Sequence, residues 1–453
     1  MSKKLVVGLL MSLCFASAGL AFDMGEVAYW SSPIPYAGLI LNPEGKGDAL
    51  IFPYYDVRPL DGKSQDTLFA IINECTNGGN QGIVAKLRFR EWDKSEEVLD
   101  FDIWLSDCDV WIGVLTLNTA TGLTRITSSD YVVTDYTAAQ FTVTKPLVSG
   151  FDFITENITF TLPSGWTKNS MTNLGYFEVI GEELTYTKIK SGTTDKVDRF
   201  TDYPDCPNVL MGQANIVRVA DGVSMGYNAV AIANFYTLGS LFDYPGSLKP
   251  DFSAAEDGLQ QLEFELSKED IFGAYSNETV IAGKASLIVN FPTKHFHYDA
   301  KRDIILTANN PFTGLKENDG EVIELTIYDR NENYIKPSQF WSPPKKLKLP
   351  YELNICGLYQ GSGNAPRGRD NVAFDTGTFD SGWVWILFDT QGAVPLVQPR
   401  GQAFFNHFGN FFDEYWGLPA VGLQLQEFSN GAVGGFYGDM NDIWYEVEWF
   451  FLD

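Results

Sequence analysis

The sequence is poor in basic residues. Only 32 Lys plus Arg stand against 58 Asp plus Glu, which gives a formal charge of −26 and a pI of about 4.4 over 453 residues. A protein that binds a polyphosphate backbone concentrates Lys and Arg, and no long basic run occurs here, so nucleic acid is not an expected partner. With 45% hydrophobic and 14% aromatic residues, the chain is too apolar to stay disordered despite its charge.

Long apolar runs are also missing, except at the N-terminus. Lys3 and Lys4 precede the apolar stretch 5–16, and small residues follow as far as Ala21. This order is typical of a secretory signal peptide, and the run falls short of the about 20 residues that cross a bilayer. We therefore expect a signal peptide at 1–21, export to the periplasm, the cell surface or the medium, and no transmembrane span in the mature chain.

Cysteines are few, and no two of them have the C-x-x-C spacing of zinc sites and thioredoxin-like sites. One of the five lies in the predicted signal peptide, so an even number remains in a chain bound for an oxidising compartment. This predicts one or two disulfides, with three pairings open. The four disulfide candidates are Cys75, Cys108, Cys206 and Cys356.

Most of the chain alternates apolar and polar residues with a period of two, as half-buried strands do. Segments 83–90 and 99–105 are the clearest examples, and their polar residues are expected to point outward. Turn-forming clusters recur about every 8–12 residues, which favours an antiparallel sandwich over alternating helix and strand. The expected outward residues are Lys86, Arg88, Arg90, Asp100 and Asp102.

The fold class predicted from this pattern is mainly all-β, with two antiparallel β-sandwich domains and a partly helical connecting region. Helical patterning is confined to that region, where Ser253 begins a capping-box spacing and Leu259, Leu262 and Leu266 follow on one face. The expected division is a signal peptide at 1–21, an N-terminal extended segment at 22–44, a sandwich at 45–165, the connecting region at 166–282 and a second sandwich at 283–453.

Six stretches between about residue 47 and residue 424 carry a resemblance to known sequences. They are GDALIFPYYDVR, VLDFDIWLSDCDVW, NFPTKHFHYD, YDRNENY, SPPKKLKLPYELNI and GLPAVGL. Together they resemble a family of exported bacterial proteins of unknown function, which implies export and a two-part β-rich body, with no assigned catalytic residue. Residues 64–117 also resemble, more loosely, the strand pattern of immunoglobulin-like surface modules, which concerns the fold alone.

One motif suggests a serine hydrolase. Residues 222–226 match the G-x-S-x-G nucleophile elbow, with Ser224 as the candidate nucleophile. The alternating strand and helix pattern of that fold is missing, however, and Asp221-Gly222 is more simply a hairpin turn. The histidines available as a base are His295, His297 and His407.

Acidic and aromatic residues occur together near the C-terminus, around Glu414 and at Glu446 and Glu448, which lie between Trp444 and Trp449. A glycoside hydrolase needs two carboxyl groups about 5–10 Å apart across a cleft, and neighbours on one strand do not provide them. Non-catalytic sugar binding through exposed aromatic side chains is therefore favoured over hydrolysis.

Two local clusters suggest metal ions. The loop 370–380 offers carboxylate oxygens between glycines, which suit Ca²⁺, although the spacing is not that of an EF-hand. The two histidines near residue 296 would point to one face of a strand, where a nearby carboxylate extends the set toward a transition metal. Solvated turn acids and stacked rings are the alternatives. The candidate calcium ligands are Asp370, Asp375 and Asp380, and the candidate transition-metal ligands are His295, His297 and Asp299.

We interpret the chain as an exported, non-enzymatic binding or structural protein of the cell surface or extracellular space. Its expected partners are a protein or carbohydrate at the cell surface, or further copies of itself. One alternative is a filament or sheath subunit in which residues 23–41 pair as a strand with a neighbouring copy. A second alternative is a secreted hydrolase that acts on esters or glycans through Ser224 or Glu414.

Overall fold

The computed structural model describes most of the chain from residue 39 onward. The predicted signal peptide and residues 22–38 of the segment 22–44 lie outside the described residues. Those described are 39–74, 81–190, 195–200, 208–235, 240–255, 258–268, 270–279, 283–302, 304–306, 311–312, 320–337, 347–361, 369–388, 404–405, 411–412, 417–428 and 437–442.

Strands dominate these residues. The strands of the N-terminal half are β1 (Ile40–Leu41), β2 (Ala49–Asp56), β3 (Asp66–Asn73), β4 (Gln81–Glu91), β5 (Glu97–Leu105), β6 (Val110–Asn118), β7 (Leu123–Thr127), β8 (Val132–Tyr136), β9 (Gln140–Thr144), β10 (Phe151–Asp152), β11 (Leu174–Lys190), β12 (Asp195–Arg199), β13 (Leu210–Arg218), β14 (Val223–Asn228) and β15 (Val230–Ala233).

The strands of the C-terminal half are shorter and more interrupted. They are β16 (Ser267–Lys268), β17 (Asp270–Ser276), β18 (Lys284–Asn290), β19 (Tyr298–Asp299), β20 (Ile304–Ile305), β21 (Glu321–Asp329), β22 (Tyr334–Ile335), β23 (Leu347–Leu349), β24 (Leu353–Tyr359), β25 (Val372–Asp375), β26 (Ser381–Leu387), β27 (Phe404–Phe405), β28 (Phe411–Phe412), β29 (Leu418–Pro419), β30 (Val421–Phe428) and β31 (Tyr437–Asp442). The described residues also contain two α-helices, α1 (Lys168–Met171) and α2 (Leu259–Leu266), and 3₁₀ turns at Pro146–Ser149, Phe252–Ala254 and Lys294–Phe296.

Two antiparallel sheets form the first sandwich. The larger has the strand order β1-β15-β2-β11-β12-β9-β8-β5-β4, and the smaller has the order β10-β7-β6-β3-β13-β14. The second sandwich pairs β17-β26-β21-β22 with β25-β24-β18-β30-β31, and β23 joins the first of these sheets through β21. The mainly all-β, largely antiparallel class predicted from the sequence is confirmed. The immunoglobulin-like detail stays a prediction.

An aromatic cluster fills the space between the two sheets of the first sandwich. Phe52 and Phe177 from the larger sheet stack with ring centroids 4.2 Å apart, and Phe69 from the smaller sheet lies 4.7 Å from Phe177. Phe89 packs against the same ring at 4.9 Å. Large rings bury much apolar surface in such edge and tilted contacts, so this cluster is the centre of the first core.

Segment 166–282 is not the irregular connection expected from the sequence. It supplies β11 to β15, which belong to both sheets of the first sandwich, and β17, which belongs to the second. The first twelve residues of β11 are buried on both faces, from Leu174 to Thr185. A strand buried on both sides does not alternate, and the period-two pattern that reveals other strands is therefore weak here.

The helix predicted in this segment is confirmed, but its start differs. Leu262 and Leu266 of α2 are fully buried, as their spacing predicts. Gly258 occupies the N-cap position, whereas Ser253 lies in a separate 3₁₀ turn whose own cap is the Asp251 side chain. The capping-box reading at Ser253 is wrong because the chain turns once more before the helix begins.

The sheet containing β18, β24 and β30 is covered on both faces. Leu287 and Cys356 point into the second core, while Ile288, Ile355 and Leu423 belong to the core of the first sandwich. Neighbouring residues of one strand thus face different cores, as the pleat requires. The two sandwiches therefore share an apolar layer.

A buried ion network crosses the same boundary. Glu427 of β30 accepts two hydrogen bonds from Arg218 of β13, at 3.3 and 3.2 Å, and a further short one from Arg369. All three residues are at most 4% exposed. Burial acts to raise the pKa of Glu427, but Arg369 and Arg218 outweigh it and lower that pKa to about 2. Glu427 is therefore an anion at neutral pH, held by one arginine from each sandwich.

Candidate binding surface

Five aromatic side chains lie side by side on the outer face of the second sandwich, and we call them the aromatic row. They come from four strands that are adjacent in one sheet, β17, β26, β21 and β22. The row consists of Phe272, Trp383, Trp385, Tyr328 and Tyr334.

Strand alternation explains why these rings share a face. On β17, β26 and β21 the residues between them point inward and are at most 4% exposed, in the core of the second sandwich. Side chains of a strand alternate between faces, so the aromatic positions point away from that core. The inward set is Ile271, Leu325, Ile327, Val384 and Ile386.

The rings contact one another across the strands. Phe272 lies directly opposite Trp385, with ring planes parallel to within 2° and centroids 6.3 Å apart. Trp383 stacks on Tyr328 at 3.9 Å, and Tyr334 lies 5.8 Å from Tyr328. Parallel rings 6.3 Å apart are displaced sideways, so neither Phe272 nor Trp385 covers the whole face of the other. The row is a continuous apolar strip rather than isolated rings.

Polar contacts orient the strip and border it. The indole Nε1 of Trp385 donates a 2.8 Å hydrogen bond to the carboxylate of Asp270, which is only 6% exposed. At the other end Tyr334 is 61% exposed. Glu324, on the same strand face as Tyr328, lies 3.9 Å from Lys336, and both of these charged groups are open to solvent. The strip thus combines apolar rings with exposed hydrogen-bonding groups.

The predicted calcium ligands do not converge. Asp370 accepts hydrogen bonds from Ser286, at 2.7 Å, and from the Tyr359 hydroxyl. Asp375 accepts from the Gly377 backbone at 2.8 Å, and Asp380 contacts Arg330 at 3.4 Å. Each of these three carboxylates therefore contacts a different set of neighbouring residues, and they do not share one site. Among the described residues no group of three His, Cys, Asp or Glu side chains is placed to hold a metal ion.

The predicted transition-metal ligands are also separated. His295 lies in a 3₁₀ turn and His297 directly follows it, so the strand parity that would align them does not apply. Pro292 follows the end of β18 and cannot donate to a sheet ladder, which accounts for the change from strand to turn. His297 Nε2 lies 2.5 Å from Glu263 of α2, and Asp299 pairs with Arg302 at 2.5 Å.

His295 has a different environment. Both ring nitrogens are buried and lack hydrogen-bond partners. Burial lowers the pKa of His295 well below its ordinary value, and the nearby Arg90 and Arg88 guanidinium groups lower it further. The ring is therefore neutral at physiological pH.

Ser224 lies in a hairpin rather than in a nucleophile elbow. The chain turns at Asp221 and Gly222, which has φ +69°, and Ser224 then pairs with Val217 inside the β13–β14 ladder. An elbow places the serine on a turn between strand and helix, so the hairpin reading of Asp221-Gly222 is confirmed. The other hydrolase candidates, Glu414, Glu446, Glu448 and His407, lie outside the described residues.

The cysteines differ in state. Cys356 is a free thiol, fully buried in β24, so the disulfide prediction is wrong for this residue. Burial raises the pKa of its thiol well above the ordinary value. Cys108 is disulfide-bonded, and its partner is not among the described residues. Cys75 and Cys206 lie outside the described part of the chain, so the pairing stays a prediction.

The charged side chains predicted to face outward on β4 are instead buried. Lys86 and Arg88 are 1% exposed and Arg90 is 7% exposed, and Asp102 opposite them on β5 is 1% exposed. Segment 247–250 covers them, since its backbone carbonyls accept hydrogen bonds from Lys86, at 3.0 Å, and from Arg88. The alternation pattern of β4 cannot predict that its polar face is buried by residues about 160 positions further along the chain.

The buried acid Glu352 makes the free energy of unfolding depend on pH. Burial raises the pKa of Glu352 to about 7, whereas the unfolded chain releases this proton near pH 4.5. Between those values the folded state binds more protons, so the free energy of unfolding falls as pH rises through this window. We expect Glu352→Gln to remove up to about 3 kcal/mol of that dependence.

Urea unfolding at pH 5 and pH 8 measures this effect. The wild type should lose more stability between the two pH values than the Glu352→Gln variant does. Glu324→Gln is the control, because Glu324 is 54% exposed and should leave the pH dependence unchanged. Identical pH dependence in all three proteins would contradict the assignment.

In the part of the chain that the structure describes, no helix is long and apolar enough to cross a membrane. Comparison with protein-family models, with curated proteins and with solved structures finds no match to this chain.

Proposed function

We propose that the protein is an exported, non-enzymatic binding protein of the cell surface or extracellular space, and that the aromatic row binds a neutral glycan. The single observation that carries the proposal is the row itself: five aromatic side chains in mutual contact on the outer face of one sheet. Grouped apolar surface on an otherwise acidic protein marks an interaction site more often than scattered residues do.

The shape and chemistry of the row favour a sugar chain. Neighbouring strands lie about 4.8 Å apart, so four strands give a strip about 14 Å wide, which suits a short stretch of an extended polymer. Aromatic faces pack against the apolar faces of sugar rings, while exposed groups such as Glu324 and Lys336 can bond to hydroxyls. The net charge of −26 disfavours a polyanionic glycan, so we assign a neutral one.

The filament alternative is less well supported. Ile40 and Leu41, the described end of segment 23–41, pair with Ala233 and Ile232 of β15 in the same chain. These residues are therefore used within one molecule rather than offered to a neighbour.

Sedimentation with insoluble chitin and cellulose tests the proposal. The wild-type chain should bind at least one of these neutral glycans. Replacing two rings of the row, Trp383→Ala with Tyr334→Ala, should weaken that binding about tenfold or more, since each stacked ring contributes about 1 kcal/mol.

Tyr244→Ala is the matched control, because this tyrosine is 50% exposed but lies outside the row. It should bind as the wild type does. Equal binding by the wild type and the double variant, or no binding of neutral glycans by the wild type, would overturn the proposal.

A further inference from the structure

A lysine and an aspartate face each other inside the first sandwich. Lys86 of β4 lies directly opposite Asp102 of β5 in the ladder. Their side chains are 1% and 0% exposed, and the Lys86 Nζ lies 2.7 Å from Asp102 Oδ1. The two groups are therefore held together, out of water, by the register of two paired strands.

The contact is not an ordinary hydrogen bond. Despite the short distance, neither carboxylate oxygen of Asp102 receives a hydrogen bond of regular angle. The Lys86 ammonium donates instead to the Ser247 carbonyl at 3.0 Å. A buried carboxylate ordinarily accepts well-aligned bonds, so Asp102 is left in an unusual position beside an amine.

A third group, Glu182 of β11, is brought to this pair by a β-bulge. The β4–β11 ladder matches Gly181 with Ala85 and Glu183 with Val84, which leaves Glu182 as the extra residue. Bulges redirect a side chain and are common next to functional sites. Glu182 is 1% exposed and interacts electrostatically with both Asp102 and Lys86.

We propose that Lys86 and Asp102 condense to an intramolecular isopeptide bond, with Glu182 as the proton carrier. The strands align the amine and the carboxyl group, which replaces a bimolecular encounter by a fixed geometry and favours the reaction. The product is a covalent cross-link between β4 and β5.

The step balances without any further reactant. A proton passes from the Lys86 ammonium through Glu182 to Asp102, which leaves a neutral amine and a carboxylic acid. The Nζ lone pair then forms a bond to the Asp102 Cγ. The Cγ–OH bond breaks, and the departing hydroxyl takes a proton from the nitrogen by way of Glu182. One ammonium and one carboxylate become one amide and one water, and Glu182 ends in its starting form.

Both acids of this cluster can hold a proton. Burial raises the pKa of Glu182 well above its ordinary value, and Asp102 raises it further. Burial also raises the pKa of Asp102, so both acids hold protons more readily than in water. For Lys86 burial acts to lower the pKa, but Asp102 and Glu182 raise it overall. Lys86 therefore holds its proton more tightly than a free lysine does, so the reaction needs an acceptor, and the bulge that redirects Glu182 brings one to the pair.

Mass spectrometry of the full, folded wild-type chain tests the proposal, after reduction and denaturation. The protein should be one water, about 18 Da, lighter than its mature sequence. After digestion, Lys86 and Asp102 should be recovered in a single branched peptide. A mass that shows no loss of water, with Lys86 and Asp102 recovered in two separate peptides, would overturn the proposal.

Two comparisons make the result specific. The Glu182→Gln variant, once circular dichroism shows that it keeps its strand content, should lose no water and give separate Lys86 and Asp102 peptides. Loss of water in this variant would show that Glu182 takes no part in the reaction. The pair Lys63 and Asp221 is the internal control, since its ammonium and carboxylate are at least as close and no bulged glutamate accompanies them. Linkage at that pair as well would show that contact alone suffices and would contradict the assignment.

Discussion

Replacing Glu427 by alanine is expected to lower the free energy of unfolding by about 3–5 kcal/mol, because two buried arginines then lose their shared anion. Arg218 is 3% exposed and Arg369 is 4% exposed, so neither guanidinium can recover its hydration in the folded state. Arg218 keeps Asp221 at 2.5 Å and Arg369 keeps Asp370 at 3.9 Å, but both lose the Glu427 carboxylate. The loss is larger than for a surface ion pair, since both guanidinium groups stay in a region of low dielectric.

Urea unfolding at pH 7, with the wild type in parallel, gives the measurement. Glu324→Ala serves as the control, because its partner Lys336 is 3.9 Å away and both groups are exposed to solvent. That variant should change stability by less than about 1 kcal/mol. Similar small losses in both variants would contradict a buried network between the sandwiches.

Replacing Phe177 by alanine is expected to cost about 3–5 kcal/mol as well, through a different mechanism. The Phe177 ring is fully buried and touches Phe52, Phe69 and Phe89, with centroid distances of 4.2, 4.7 and 4.9 Å. Its removal leaves a cavity where both sheets of the first sandwich meet, and three neighbouring rings cannot collapse into it without losing their own contacts.

Phe151→Ala is the matched control for this substitution. Phe151 lies on the short edge strand β10 and is 49% exposed, so the same change should alter stability by less than about 0.5 kcal/mol. Thermal and urea unfolding of both variants would measure the difference. Equal stability of the two variants would show that Phe177 is not central to the core.

Alternation predicts strands well over segments 83–90 and 99–105, which fall within β4 and β5. It fails for β11, whose first twelve residues are buried on both faces, and segment 166–282 is therefore misread as a connection. The charged face of β4 is misread for a related reason, since its cover comes from residues 247–250, far along the chain.

Site residues are harder to predict than strands, because their arrangement depends on register. His295 and His297 form a plausible ligand pair only on a strand, and a turn after Pro292 separates them. Conversely, the aromatic row is assembled from β17, β21, β22 and β26, which are dispersed over more than 100 residues. Trp383 and Trp385 stand at alternate positions of one strand, a signal visible in the sequence, but the adjacency of all five rings follows only from the strand order.

Titrating the protein with a soluble chitin or cellulose oligosaccharide, while recording the indole N–H signals of its tryptophans by NMR, tests the binding surface most directly. We predict that the signals of Trp383 and Trp385 shift, while those of Trp92 and Trp111, each 1% exposed in the first sandwich, do not. Unchanged Trp383 and Trp385 signals at saturating oligosaccharide, or shifts confined to other tryptophans, would contradict the account.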